Sequence, residues 1–77
     1  MKIFKKVNYL GLKCPLPVLK ARRELENMNH AQVIEILADD PASELDFKHF
    51  CETSKNELLQ IKEWNSEKTF FIKKLSK

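Results

Sequence analysis

Gly11-Leu12-Lys13-Cys14-Pro15-Leu16-Pro17 sets a cysteine between a glycine turn and the proline-marked opening of a helix. Gly11 is the only glycine in the protein and follows the apolar-rich segment Ile3 to Tyr9, so it marks a turn where the backbone needs a positive φ. Pro15 and Pro17 suit the first turn of a helix, where an amide proton would lack an intrahelical partner in any case. Beyond them Val18, Ala21, Leu25 and Met28 recur at spacings of three and four, with Lys20, Arg22, Arg23, Glu24 and Glu26 between. This period predicts an amphipathic helix over residues 15–28. Pro17 also biases Leu16 away from helical dihedrals, which moves the regular helix toward Pro17 and leaves Cys14 in the turn before it.

Working outward, Ile3 to Tyr9 alternates enough β-formers with Lys5 and Lys6 to read as a strand. Val33 to Ala38 (Val-Ile-Glu-Ile-Leu-Ala) is β-branched and almost continuously apolar, the pattern of a strand buried on both faces or central in a sheet. Asp39-Asp40-Pro41 ends it. Ser43 reads as an N-cap, with Asp46 where a capping box usually has Glu. The helix that follows runs to about Ser54 and places Phe47, Phe50, Cys51 and Ser54 on one stripe. Leu58 to Trp64 and Thr69 to Leu75 read as strands joined by the loop Asn65-Ser66-Glu67-Lys68. Ser76-Lys77 reads as a frayed tail. The order β-α-β-α-β-β predicts an α/β (α+β) fold: a two-layer sandwich whose four-stranded mixed sheet carries both helices on one face.

A chain of 77 residues is read as one domain, 1–77, and leaves no room for a deep active site, so any chemistry belongs near the surface. Hydrophobic residues at 43% and charged ones at 32% exclude a disordered chain. No apolar run approaches the roughly 18 residues that a membrane span needs. The basic start, Met1 to Lys6, is not followed by the apolar region of a signal peptide. These readings lead to a cytoplasmic protein with no membrane association. Cys14 and Cys51 should then be free thiols. There is no Cys-x-x-Cys, and His30 and His49 are not spaced from the cysteines as zinc ligands would be, so neither a metal site nor a cofactor is expected. The net charge of +3 comes with acidic and basic residues intermixed, which reads as a solvated surface and gives no expectation of direct nucleic-acid binding.

The candidate reactive group is Cys14. At the opening of a helix, unpartnered amides and the helix dipole favour negative charge on its sulfur, and Lys13 adds a cation. The expected lowering of the thiol pKa is small, giving a fair nucleophile that can both accept and release a group. Pro15 and Pro17 remove amide donors, which favours rigidity and exposure over strong anion binding. Spacing alone equally allows Cys14 to be a small apolar filler behind the turn. Cys51, on the stripe with Phe47 and Phe50, reads as a structural thiol, with a second sulfur-bearing role as the alternative.

Residues 11–17 resemble the signature Gly-Leu-x-Cys-Pro-x-Pro of the TusA (SirA-like) sulfurtransferase family. The likeness extends to Ile-Leu-Ala-Asp-Asp-Pro-Ala (residues 36–42) and to Phe50-Cys51 followed by Glu57-Leu58. The resemblance implies a fold like the C-terminal domain of translation initiation factor three. It implies that Cys14 carries persulfide sulfur, with Gly11, Lys13, Pro15 and Pro17 as its supporting turn. It further implies a cysteine desulfurase as donor and a sulfur-relay protein as acceptor, with tRNA 2-thiouridine as one destination. The chain departs from the family pattern at Asn8, where an acidic residue is usual, at Leu10, where Arg is frequent, at Ala31, where Gly is frequent, and at Asn56, where a His is often found. These departures motivate the alternative of a non-transferring regulatory or interaction module with the same fold.

Overall fold

The computed structural model describes residues 2–75, so the tail Ser76-Lys77 lies outside the described residues. Its elements are β1 (Lys5–Asn8), α1 (Leu16–Glu26), β2 (Val33–Ala38), α2 (Ser43–Thr53), β3 (Asn56–Trp64) and β4 (Glu67–Lys74). The sheet order is β1-β2-β4-β3, with β1 parallel to β2 and the other pairs antiparallel. This is the β-α-β-α-β-β mixed sheet that the pattern of apolar residues predicts.

The densest apolar run, β2, lies inside the sheet, flanked by β1 and β4. Register places Ile34 opposite Ile72 and Ile36 opposite Phe70, all four fully buried. Ala21 and Leu25 of α1 and Phe47 of α2 join them in one core, so both helices cover the same face. The rings of Phe47 and Phe70 lie 4.7 Å apart with planes tilted by 37°. Each fully buried large side chain contributes roughly 1.5–3 kcal/mol. The opposite face carries no helix among the described residues. There Glu35 and Leu37 are half-exposed, so β2 is not buried on both faces along its whole length.

Polar contacts fix the helices to the sheet. Lys5 of β1 pairs with Glu24 of α1 at 2.7 Å. Lys68 of β4 pairs with Glu44 of α2 at 2.6 Å, and Lys48 holds the same carboxylate at 2.8 Å. Together Lys48 and then Lys68 pull the Glu44 carboxyl down to about 2. The buried Lys74 donates to the Leu25 carbonyl near the C-terminus of α1, where a cation is favoured by the helix dipole.

Several predicted boundaries shift. β1 is shorter than Ile3 to Tyr9, although Phe4 and Tyr9 still donate to the carbonyls of Val33 and Leu37. α1 starts at Leu16 with Pro15 as its cap residue and ends at Glu26 rather than Met28. Asn65 and Ser66 have φ of 49° and 65°, so the last hairpin turns in two residues and β4 begins at Glu67, not Thr69. Positive φ at both central positions is what a tight hairpin's twist requires. β3 starts at Asn56 and contains a register shift between Leu58 and Gln60. Leu58 and Ile61 are three positions apart, and a bulge is what lets both face the core.

Candidate functional site

The two parallel strands β1 and β2 end side by side, so the segments that leave them meet. After β1 the Asn8 side chain accepts the Leu10 amide at 2.9 Å, the local turn that Asn and Asp both make. Gly11 has φ 82°, as its place in the turn requires. Leu12 donates to the Tyr9 carbonyl at 3.1 Å and packs its side chain against the core. Leu16 donates to the Lys13 carbonyl at 2.8 Å and leads the chain into α1. Pro17 is fully buried at the second helical position, while Cys14 and Pro15, joined by a cis peptide bond, stay exposed.

The turn after β2 supplies what holds this segment. Asp39 accepts the Gly11 amide at 3.0 Å. Asp40 accepts the Cys14 amide through Oδ2 and the Ala42 amide through Oδ1, the latter at 3.0 Å. From the first turn of α2, Asp46 Oδ2 accepts the Cys14 thiol at 2.5 Å. Three aspartates distant in sequence therefore converge on residues 11–14. The bonds from Ala42 and Cys14, together with the charge of Lys13, hold the Asp40 carboxyl below its usual range.

This arrangement reverses one expectation. The Cys14 thiol pKa is raised, first by the hydrogen bond to Asp46, then by partial desolvation and by the charges of Asp46 and Asp40. A low thiol pKa needs free amides or a cation at the sulfur. Pro15 and Pro17 have no amide proton, the Leu16 amide is bonded to the Lys13 carbonyl, and the charge of Lys13 acts on Asp40. The nearest partner of the sulfur is a carboxylate, which stabilises the protonated form.

Ser43 is not the cap of α2. Asp40 bonds the Ala42 amide by its side chain and the Ser43 amide by its carbonyl at 2.9 Å, which moves the cap to Ala42 and buries Ser43 in the first turn with its hydroxyl unpartnered. Asp46, read from sequence as that cap's companion, instead serves the cysteine. Cys51 is half-buried in α2 and packs against the core, and burial alone pushes its thiol up to about 11. The basic residues Lys13, Lys20, Arg22 and Arg23 are exposed. Lys20 and Arg23 line an open groove with Tyr9, Leu16, Leu19 and Glu24.

The family model described as "Sulfurtransferase TusA" matches residues 5–74. The "Sulfur carrier protein TusA" of Allochromatium vinosum is 44% identical over 64 residues, covering 83% of this chain and 84% of that protein. The "Putative sulfur carrier protein" of Archaeoglobus fulgidus is 37% identical over 73 residues, covering 95% of each. A match across nearly the whole chain, with the Cys14 turn inside it, means that this chain belongs to the TusA sulfurtransferase family.

Proposed function

We propose that the protein is a sulfur carrier whose cargo rides on Cys14 as a persulfide. The observation that carries this reading is the exposed Cys14 sulfur on the Gly-Leu-Lys-Cys-Pro-Leu-Pro turn, with the other thiol half-buried. In loading, the Cys14 thiolate attacks the outer sulfur of a donor persulfide. The donor's S–S bond breaks, its electron pair leaves with the donor cysteine, and a new S–S bond of about 2.05 Å forms at Cys14. In unloading, an acceptor thiolate attacks that outer sulfur and Cys14 is the leaving group. Sulfur moves without net oxidation or reduction, so no cofactor is needed.

The donor in this reading is a cysteine desulfurase, and the acceptor is a sulfur-relay protein on a route such as tRNA 2-thiouridine synthesis. A reducing cytoplasm is the compartment that keeps both thiols free. No helix among the described residues is long and apolar enough to cross a membrane. Gly11 and Pro17 fix the turn, and Pro15 and Lys13 complete its exposed surface. Leu16 and Leu19, about half exposed, offer partners an apolar surface along α1.

The test is sulfur uptake from a cysteine desulfurase and cysteine, read as added mass. Cys14→Ser is expected to take up none and Cys51→Ser as much as the parent. The opposite pattern would assign the cargo to Cys51. No uptake by the parent or by either variant would favour a non-transferring module.

A further inference from the structure

The Asp46 contact has a consequence for how the carrier is controlled. Resting on the reading of Cys14 as the cargo site, we propose that Asp46 is a positioning residue. By accepting the Cys14 thiol hydrogen bond it keeps the empty carrier protonated and quiet, and the contact is lost once sulfur is loaded.

The geometry supports this in three steps. First, the carboxylate is fixed. Asp46 stands in the first turn of α2, which the ion pair of Glu44 with Lys68 of β4 ties to the sheet. Second, the sulfur is fixed against it from the other side. Asp40 bonds the Cys14 amide, and Asp39 bonds the Gly11 amide at 3.0 Å. Third, the charged groups around the sulfur from each neighbouring element are Asp46 on α2, Asp40 in the turn after β2 and Lys13 beside it in the chain. The two carboxylates disfavour a thiolate, and the charge of Lys13 is felt at Asp40.

Loading changes the contact by simple valence. In Cys14–SH the sulfur has a proton to donate to Asp46. In the persulfide Cys14–S–S⁻ the inner sulfur has no proton, and the negative charge sits one S–S bond, about 2.05 Å, farther out. The charges of Asp46 and Asp40 then repel the anionic outer sulfur, and Asp46 has no proton to accept from the inner one. The balanced step is donor–S–S⁻ plus Cys14–SH giving donor–SH plus Cys14–S–S⁻, with the thiol proton finishing on the donor cysteine. The empty and loaded carriers thus differ at a carboxylate that is itself only partly covered and open to partners.

The experiment uses the full chain with Cys51→Ser, so that only Cys14 reacts. Alkylation by iodoacetamide, an uncharged probe, is followed against pH for the parent, Asp46→Asn and Asp46→Glu, with circular dichroism melts to establish folding. Asp46→Asn is expected to move the profile to lower pH and to raise the rate at pH 7 roughly three- to tenfold, one pKa unit being a factor of ten. Asp46→Glu, which keeps the charge, is expected to stay nearer the parent. If Asp46→Asn fails to fold, Asp46→Ala is the second variant. An unmoved or upward-shifted profile in a folded variant overturns the role of Asp46. Sulfur uptake from inorganic polysulfide separates the two ideas: a shifted profile with no sulfur on Cys14 would sink the carrier reading while leaving Asp46 in control of the thiol.

Discussion

The two cysteines occupy opposite kinds of site: Cys14 lies exposed on a turn, and Cys51 is half-buried in α2. Both thiols have a raised pKa. At Cys51 the cause is burial in α2, which takes the thiol to about 11 and also limits access to the sulfur. At Cys14 the leading cause is a single hydrogen bond to Asp46 on an exposed turn. Desolvation by a packed core is removed only by unfolding. A hydrogen bond at the surface can be removed by a partner, by loading, or by one substitution. What sets Cys14, the proposed carrier thiol, apart from Cys51 is therefore access and a reversible restraint, not a low pKa.

The largest effect expected from this contrast is in alkylation. At pH 8 a thiol at about 11 is ionised at roughly one part in a thousand, and Cys51 is shielded besides. In the parent protein, peptide mapping after limited iodoacetamide treatment is expected to find Cys14 labelled at least about tenfold faster than Cys51. Equal labelling would erase the distinction.

Next in size is the turn that presents Cys14. Gly11 has φ 82°, and no atom beyond its two chain neighbours lies within 4 Å of where a Cβ would sit, so Gly11→Ala meets strain but no clash. It is expected to cost about 1–2 kcal/mol in chemical denaturation and to lower the Cys14 labelling preference. The smallest effect is a control away from the site. Ala31 holds φ 73° while donating to the Lys74 carbonyl at 2.6 Å. Ala31→Gly relieves that strain at some cost in unfolded-chain entropy, for a net gain of about 0.5 kcal/mol, with the labelling ratio unchanged.

Much of this was legible in the residues. The β-branched run Val33–Ala38 declared an interior strand, the spacing of Ala21 and Leu25 declared the buried face of α1, and Gly11 declared its positive φ. The departure at Ala31 falls on a left-handed residue, a conformation that suits glycine better than alanine. The last hairpin's loop is two residues shorter than the spacing predicts, because Asn65-Ser66 lacks the glycine that usually signals a two-residue turn. The aspartates were missed for a different reason. Asp39 and Asp40 look like a strand terminator, and Asp46 looks like the local partner of Ser43. Their bonds to residues 11–14 are tertiary. Yet the parallel pairing of β1 with β2 does put the ends of both strands together, so a topology read one step further places acidic residues against the cysteine. The error about the Cys14 thiol follows directly, because a dipole argument made on α1 alone leaves out the carboxylate arriving from α2.

Mass spectrometry can locate the cargo in the unmutated protein. After incubation with a cysteine desulfurase and cysteine, the chain is alkylated, digested and examined by mass spectrometry. One extra sulfur atom on the peptide containing Cys14, removable by a thiol reductant, is the expected result. An extra sulfur on the Cys51 peptide, with the Cys14 peptide unmodified, would contradict it.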